Sequence, residues 1–540
     1  MFSYFISEIR RSGSSDFGDN LKRQWFFALS AMCFLLLNAG SDIFYYYSVI
    51  AASVIFIVIA CVPVYDIVRA PYKYRRAVEL FSLINSVCIC ISTCLILMHY
   101  PFLWGVDPVL RVSLSVLSVP AVYALNLFFW NELMHLLRIV FIDSRISRKE
   151  MFFYLFLFGV TAVYAAYAYC NSTAFYDQNV GFDIIYTSDS PILVNRYSFN
   201  LIDSMNSDIR QPLSGVFSIP FMGIAYIISQ IIPIIPSALI IDCICIMILL
   251  VANIMIAAQL KFSAQQRVCF MILTCSMYTY LLFSIMIEQY ILAYFWLALT
   301  ICLYCKEKDG ADFSVLAAAG TLLTSGILFP LVATVNATSV KKWISKMIMS
   351  AVDFFVLLIA LGRLNILLLM DNNIMGLTVY TGTSLSFSDR LLQYINFVSS
   401  CFVAPGSMGE ERNNVWSWQM EPVTRISYVG IAIIFFAILG FILNRKDKLA
   451  QVAFIWVLFS FFVLAVVGWG TSENGLVLYS LYFGWAFVVL IVNLILKLEI
   501  LLRAKYFWWT TSVIASIVML SLNIRSVFEM LFFLFEHYPV

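Results

Sequence analysis

The sequence predicts an all-α, polytopic membrane protein with about 11–14 transmembrane helices. Of its 540 residues, 62% are hydrophobic and only 12% are charged, and the mean hydropathy is +0.91. Apolar runs recur from residue 24 to residue 523, and many are long enough to cross a hydrocarbon core of about 30 Å. Because backbone polar groups in lipid must be hydrogen-bonded internally, these runs are predicted to be helices.

The apolar runs define the predicted elements in order. Candidate spans are 25–41, 45–65, 80–99, 112–130, 151–169, 237–258, 267–286, 290–305, 347–370, 427–444, 450–468, 476–496 and 506–523. Two further apolar stretches contain prolines or glycines that interrupt helices. We predict a broken or juxtamembrane element at 214–233 and a short helical hairpin at 313–337. Residues 24–523 are therefore expected to form one membrane domain.

Basic residues predict the orientation, since cytoplasmic loops are enriched in lysine and arginine. The basic clusters are Arg10–Arg23, Arg69–Arg76, Arg138–Lys149, Lys261–Arg267, Lys306–Lys308, Lys341–Lys346, Arg445–Lys448 and Lys497–Lys505. Placing all of them in the cytoplasm of a multi-pass plasma (inner) membrane protein leaves two long exterior loops, loop A (170–213) and loop B (371–426). Residues 1–23 are expected to be a cytoplasmic lead-in, because no apolar stretch precedes their charges as in a signal peptide, and 524–540 an exterior tail.

Loop A contains the residue types that group transfer needs. Its acids include Asp183, Asp189 and Asp208, and its arginines are Arg196 and Arg210. A carboxylate can accept a proton from an acceptor hydroxyl, and the arginine fork matches phosphate oxygens. This combination suits a lipid-phosphate donor and a hydroxyl acceptor. A solvated loop with local ion pairs would have the same composition.

Three other places carry candidate functional residues. Glu288 lies between two apolar helices, where an ionisable group indicates either function or the aqueous end of a helical hairpin. Glu473 precedes a helix whose first turn contains Tyr479, which also suits an interfacial aromatic belt. Trp416 and Trp418 alternate with polar residues in loop B, a pattern found in sugar sites and in loops that lie on a bilayer.

Several classes of function are disfavoured. No Cys/His spacing indicates zinc, and neither a Walker A sequence nor a dinucleotide fingerprint is present, which argues against an ATP-driven pump or a redox enzyme. No cofactor is assigned, no metal-ligating residues are predicted, and no nucleic-acid partner is expected. Any metal would have to be held by oxygen atoms, which makes Mg²⁺ or Mn²⁺ the candidate ions.

Three motifs in order carry a family resemblance. The first is "YTSDS" with Asp189, followed by "DIRQPLSGVFSIPF"; the second is Ser-x-x-x-Glu-Gln-Tyr, with Glu288 and Tyr290. The third is Glu473 followed by "LYSLYF", which contains Tyr479. Together they resemble the GT-C class of polytopic glycosyltransferases, above all bacterial envelope members that modify O-antigen or other surface polysaccharides.

The resemblance implies a GT-C-like bundle and a specific reaction. The donor would be a polyprenyl-phosphate sugar, the acceptor a lipid-linked or surface glycan, and transfer would invert the anomeric carbon on the exterior (periplasmic) face. Asp189 would be the general base, with Asp183 and then Asp208 as the next candidates. Arg196 and Arg210 would bind the donor phosphate.

The resemblance also implies roles for the other residues. Glu288 would lie in the cavity and orient an acceptor hydroxyl or assist a metal. Substrate contacts would come from Tyr290, Glu473, Tyr479, Trp416 and Trp418. Residues 208–221 would be the hinge at which loop A re-enters the bilayer, with Val216–Phe221 against the lipid tail. The family's His-Pro-Leu is expected at this edge, but the chain has Gln211-Pro212-Leu213, which removes one possible ligand.

Two alternatives stay open beside the transferase. A polysaccharide polymerase or ligase would use exterior arginines and a histidine, whereas this chain has few such arginines and only His99 or His537 as candidates. A transporter or flippase would show polar residues at mid-helix and repeat symmetry. The predicted spans are nearly free of charge at their centres, and no internal repeat is evident.

Overall fold

The computed structural model places most of the chain from residue 108 onward in helices. The described residues are 108–143, 146–176, 184–186, 188–197, 210–260, 262–308, 310–335, 337–360, 381–382, 385–412, 415–471, 476–504 and 506–540, with 29–30, 33, 79, 82–84 and 86–87. The chain divides into two compact units. The first unit contains Met1–Ile139, Asn195–Ser237 and Glu307–Asn373, and the second contains Val140–Val194, Ala238–Lys306 and Ile374–Val540.

The regular elements are numbered in chain order. The helices before the hairpin are α1 (Pro108–Asp143), α2 (Arg148–Asn171), α3 (Ser190–Tyr197), α4 (Ser214–Ile231), α5 (Ser237–Gln259), α6 (Ala264–Cys275), α7 (Tyr278–Phe283), α8 (Gln289–Cys305), α9 (Ala311–Thr321), α10 (Phe329–Ala333), α11 (Val340–Ala360) and α12 (Phe387–Ser400). The rest are β1 (Ser407–Arg412), β2 (Val415–Met420), α13 (Tyr428–Asn444), α14 (Lys448–Phe461), α15 (Ser480–Leu501) and α16 (Phe507–His537). Strands β1 and β2 form an antiparallel hairpin.

Five helices among the described residues are long and apolar enough to cross a membrane, so the chain is a helical membrane protein. They are Arg148–Asn171, Ser237–Gln259, Lys448–Val467, Leu476–Leu501 and Phe507–His537. Helix α5 is largely enclosed by protein, whereas α2 exposes large apolar side chains such as Phe152 and Val163, as expected for contact with lipid. The predicted span 45–65 lies outside the described residues, 25–41 and 80–99 are described at only a few positions, and the count of 11–14 stays a prediction.

The structure corrects two predicted spans. The predicted span 267–286 is two helices, α6 and α7, with a break at Ser276 and Met277. The buried Asn523 side chain compensates for this break, because its amide donates to the Ser276 carbonyl at 2.9 Å. The last span continues beyond 523, since α16 remains helical to His537 and therefore runs through the predicted tail.

The two apolar stretches that contain prolines or glycines, 214–233 and 313–337, differ from each other. Stretch 313–337 is interrupted as predicted, because α9 ends at Thr321 and a 3₁₀ turn, Leu323–Leu328, leads into α10. Stretch 214–233 is a continuous helix, α4, that passes through Pro220 and ends at Ile231, so the predicted break is wrong and the juxtamembrane alternative stays a prediction. Loop B contains α12 and the β1–β2 hairpin, so part of this predicted loop is regular structure.

In the first unit, the segment before α4 is bound to the end of α9. The Leu213 amide donates to the Gly320 carbonyl at 2.8 Å, and the Leu323 amide donates to the Arg210 carbonyl at 2.8 Å. A Cβ atom on Gly320 would lie 2.9 Å from the Leu213 side chain, so only glycine allows this approach. Arg210 is thereby positioned beside the interrupted segment.

In the second unit, several predicted cytoplasmic clusters gather at one end of the bundle. A capping box between Ser147 and Glu150 begins α2, and Arg267 donates to both Glu150 oxygens at 2.7 and 2.9 Å. Three further contacts lie at this end: Phe262 stacks on Trp508, Lys306 donates to the Val140 carbonyl, and Lys448 lies over the Tyr304 ring. We call this the basic end.

The other end of the second unit carries polar loops. Helix α2 has 24 residues and so extends for about 36 Å away from the basic end. Just after its last residue, the Thr173 amide donates to the Tyr538 carbonyl at 2.9 Å, and the Tyr538 hydroxyl donates to the Trp416 carbonyl at 2.6 Å. The β1–β2 hairpin, the start of loop A and the end of α16 therefore share this end, which we call the hairpin end.

Tight packing of α13, α14 and α15 supports the second unit. A Cβ atom on Gly440 of α13 would lie 2.1 Å from the Leu490 carbonyl oxygen of α15, so the two backbones are almost in contact. Trp456 of α14 is fully buried, and its indole N–H donates to the Tyr482 carbonyl at 2.9 Å. Small residues at helix contacts are typical of membrane bundles, because lipid provides no hydrophobic drive between helices.

Candidate functional site

The structure brings together Asp189 and Glu288, two acids that are 99 residues apart in the chain. The Asp189 backbone N–H donates to Glu288 Oε1 at 2.9 Å. The Asp189 side chain is half-buried and immediately precedes α3, whereas Glu288 is only 2% exposed. Loop A is thus held at this point by a hydrogen bond between its backbone and a buried side chain.

Glu288 also begins a helix. It is the N-cap of α8, and its Oε2 accepts from the Gln289 N–H at 3.2 Å. A negative charge at a helix N-terminus is stabilised by the helix dipole and by the free amides there. Both carboxylate oxygens therefore accept backbone amides. This arrangement favours a positioning role for Glu288 over the predicted contact with an acceptor hydroxyl.

The third motif meets the second one at the same place. Tyr290 lies in the first turn of α8, and its ring packs edge-on against the Tyr479 ring with centroids 5.4 Å apart. Tyr479 ends the 3₁₀ turn that leads into α15. Described members of all three motifs, Asp189, Glu288 with Tyr290, and Tyr479, therefore adjoin one another in the second unit.

Tyr186 connects loop A to the hairpin. Its hydroxyl contacts the Tyr278 hydroxyl at 2.6 Å and the Ser407 hydroxyl at 2.8 Å, and it accepts from the Trp418 indole N–H at 3.0 Å. The backbones also pair, because Trp418 N–H donates to the Ile184 carbonyl at 2.7 Å and Tyr186 N–H donates to the Trp418 carbonyl at 2.9 Å. Burial raises the pKa of the Tyr186 hydroxyl, so it stays neutral and can both donate and accept.

The backbone at Tyr186 is strained. Its φ of 49° lies in the left-handed region, which costs a non-glycine residue about 1–2 kcal/mol. Such conformations persist only where the surroundings enforce them, as these hydrogen bonds do. The strained turn lies three residues before Asp189, so the hydroxyl network helps to position the candidate base.

We expect Tyr186→Phe to destabilise the protein by about 1–3 kcal/mol, because the Trp418 indole N–H would remain buried without its acceptor. Unfolding of the purified protein in mixed micelles, followed by circular dichroism, measures the change. Tyr428→Phe is the matched control, since Tyr428 is 82% exposed and should tolerate the loss of its hydroxyl. Equal stability of the two variants would contradict a role for the network.

Trp416 presents an aromatic face at the hairpin end. It is 39% exposed, and His537 stacks on it with ring centroids 4.4 Å apart. Trp418, the next residue on the same face of β2, is only 6% exposed and packs against Phe533 with ring centroids 5.4 Å apart. Of the two predicted substrate-binding tryptophans, Trp416 is therefore accessible, whereas Trp418 serves the hydroxyl network.

The structure does not bring every predicted residue to this place. Asp183, Asp208 and Glu473 lie outside the described residues. Arg196 lies on α3, the helix that begins directly after Asp189, and Arg210 lies in the first unit beside the interrupted segment. The predicted roles of both arginines in phosphate binding stay predictions.

The expected lipid contact of the hinge is wrong for two residues. Phe217 and Phe221 are each 5% exposed within the first unit. Phe217 packs against Phe313 with centroids 6.4 Å apart, and Phe221 packs against Trp130 at 5.5 Å. These rings fill protein interior, because α4 turns them toward neighbouring helices.

Among the described residues, no three His, Cys, Asp or Glu side chains are grouped so as to hold a metal ion. Glu288, the acid that the resemblance offered to a metal, uses one oxygen for each of two backbone amides. The acids of loop A outside the described part are not covered by this finding, and Mg²⁺ or Mn²⁺ stays a prediction.

Sequence reasoning missed the residues that support the site. Tyr186 opens the "YTSDS" motif that was noted for Asp189, but its partners Tyr278 and Ser407 are 92 and 221 residues away. The Glu150–Arg267 pair spans 117 residues. Only the Ser147-x-x-Glu150 capping pattern was visible locally, and it predicts a helix start without indicating the ion pair.

Comparison with known proteins identifies no relative of this chain. No protein-family model matches it, and neither a curated protein nor a solved structure does.

Proposed function

We propose that the chain is an integral-membrane glycosyltransferase with a GT-C-like bundle. It moves a sugar from a polyprenyl-phosphate donor to a lipid-linked or surface glycan on the exterior face of the plasma (inner) membrane. The supporting observation is the meeting of the three motifs, in which Glu288 holds the Asp189 amide at 2.9 Å and Tyr290 contacts Tyr479. Residues that the resemblance selects from distant parts of the sequence are neighbours in space.

The proposed chemistry needs one base and one leaving group. The acceptor hydroxyl oxygen attacks the anomeric carbon while the Asp189 carboxylate takes the hydroxyl proton. The bond from the anomeric carbon to the phosphate oxygen breaks, and polyprenyl phosphate leaves with that electron pair. Attack from the opposite side inverts the configuration. The resemblance assigns the leaving phosphate to Arg196 and Arg210, and this assignment stays a prediction because both arginines belong to the first unit and Asp189 to the second.

The direct test is sugar transfer by the purified full-length protein in liposomes. A synthetic polyprenyl-phosphate sugar is the donor, and a lipid-linked glycan is the acceptor. We expect transfer from this donor and none from the corresponding nucleotide sugar. Absence of transfer from every sugar tested, with a folded protein and a range of acceptors, would contradict the proposal and favour a carrier.

The second candidate is a ligase or polymerase, which one observation favours. A histidine was expected for that class, and His537 lies at the hairpin end stacked on the accessible Trp416. Assays with a diphosphate-linked glycan as donor distinguish the two classes. Transfer of a whole glycan that His537→Asn abolishes would favour the ligase, whereas transfer of a single sugar from the monophosphate donor favours the glycosyltransferase.

The proposal also predicts that the hairpin end faces the exterior. In a Cys170→Ser background, Glu410→Cys on β1 should react with a membrane-impermeant thiol reagent applied to intact cells. Lys446→Cys at the basic end should react only after the cells are opened, because it is exposed on the opposite side. The reverse labelling pattern would exclude an exterior active site at the hairpin.

A further inference from the structure

Asp242 is a buried acid within a membrane-spanning helix. It is the sixth residue of α5 and has no exposed surface. Neither of its carboxylate oxygens has a hydrogen-bond partner in the part of the chain that the structure describes. Although it lies near the start of its span and not at the centre, an ionisable residue buried inside such a helix indicates a functional site.

Two hydroxyl groups of α2 share this situation. Tyr164 and Tyr169 interact electrostatically with Asp242, and the hydroxyl oxygen of each is buried and has no hydrogen-bond partner among the described residues. The Tyr169 ring is fixed by stacking on Phe175 and Tyr176, with centroids 5.2 and 6.0 Å away. Rotation of this ring toward Asp242 is thereby restricted.

The charges around Asp242 do not neutralise a carboxylate. Within the described part of the chain, the titratable groups that interact with it are Tyr164 and Tyr169 from α2 and Cys243 and Cys245 from α5 itself. None of these groups is a cation at neutral pH. A lone carboxylate in a low-dielectric interior is so unfavourable that the group takes up a proton instead.

The three side chains leave several buried hydrogen-bonding atoms unused. Each buried polar group without a partner costs about 1–3 kcal/mol, and buried waters normally satisfy such groups. In a regular helix the α5 carbonyls accept the amides four residues along, so a molecule that satisfies the unused atoms binds to the side chains of Asp242, Tyr164 and Tyr169. Water fits this donor and acceptor set, because it can bridge a carboxylic acid and two hydroxyls.

We propose that Asp242, Tyr164 and Tyr169 form a hydrated site inside the membrane body, in which Asp242 holds an exchangeable proton. The site lies toward the hairpin end, since Asp242 is close to the start of α5 and both tyrosines are close to the end of α2. Tyr164 also interacts electrostatically with Tyr278, which contacts Tyr186 at 2.6 Å. The site therefore lies on the same side of the second unit as the hydroxyl network that holds loop A, and among the described residues no hydrogen bond of Tyr164 joins the two.

Infrared spectroscopy of the full-length protein in lipid nanodiscs at neutral pH tests the proposal. We expect a carbonyl stretching band of a protonated carboxylic acid that is lost in Asp242→Asn. The band should move to lower wavenumber within minutes in D₂O, because the proton exchanges with water. Asp447→Asn is the control; Asp447 caps α14 by accepting the Ala450 amide, and its replacement should leave the band unchanged.

Three outcomes would overturn the proposal. The first is a wild-type protein without the band, or a band that persists in Asp242→Asn. The second is a band that does not move after prolonged incubation in D₂O, which would show a dry acid. The third is replacement of the band by a carboxylate band when sodium chloride is substituted for choline chloride, which would show a sodium site. Asparagine has almost the shape of aspartate, and circular dichroism checks that the variant is folded.

Discussion

Asp189→Asn is expected to lower sugar transfer by about 10²–10⁴-fold, because an amide cannot accept the proton of the acceptor hydroxyl. The variant should fold normally. Glu288 binds the backbone amide of Asp189 and not its side chain, so the substitution leaves the 2.9 Å contact in place. Asparagine also suits the position directly before α3, where side-chain oxygens can cap helix amides. The loss should therefore appear in kcat with little change in KM.

The measurement is initial-rate transfer from a polyprenyl-phosphate sugar, with Asp389→Asn as the matched control. Asp389 is an exposed acid in the first turn of α12 and lies outside the Asp189–Glu288 contact. The Asp389→Asn variant should transfer sugar at the wild-type rate. Asp183→Asn is tested alongside, since that acid is the second candidate. Wild-type rates in Asp189→Asn would reject it as the base, whatever Asp183→Asn does.

Composition alone predicted the helices that are long and uniformly apolar. The predicted span 237–258 is the observed helix Ser237–Gln259, and the predicted span 290–305 is the observed helix Gln289–Cys305. The break at Ser276 was not predictable, because an apolar run gives no local signal of it. It depends on Asn523, a residue 247 positions away whose side chain satisfies the freed carbonyl. Non-helical backbone at membrane depth requires such a partner.

The candidate site was predicted as an order of motifs but not as a set of contacts. Acids, tyrosines and tryptophans could be selected by residue type and position. Their distances depend on how α8, the hairpin and loop A pack, which no single segment encodes. The role of Glu288 differs for the same reason: the sequence shows an acid between apolar helices, and only the fold shows both oxygens accepting amides.

Arg267→Met is expected to destabilise the protein by about 3–5 kcal/mol, because it leaves the Glu150 carboxylate buried without its cation. The side chains of Arg267 and Glu150 are only 9% and 3% exposed, and two hydrogen bonds of 2.7 and 2.9 Å join them. Arg267 also donates to the Phe262 carbonyl at 3.0 Å, which would lose that donor. Denaturant titration in mixed micelles, followed by circular dichroism, measures the loss.

Two further variants separate the ion pair from a general effect of removing arginine. Arg525→Met removes one side of the exposed Arg525–Glu529 pair and should change stability by less than about 1 kcal/mol. The double variant Glu150→Met with Arg267→Met should recover much of the loss, because no buried charge remains without a partner. A double variant as unstable as Arg267→Met would show that the arginine acts through packing or through Phe262. Recovery would instead establish that this pair joins α2 to α6 at the basic end, about 36 Å along α2 from the hairpin end.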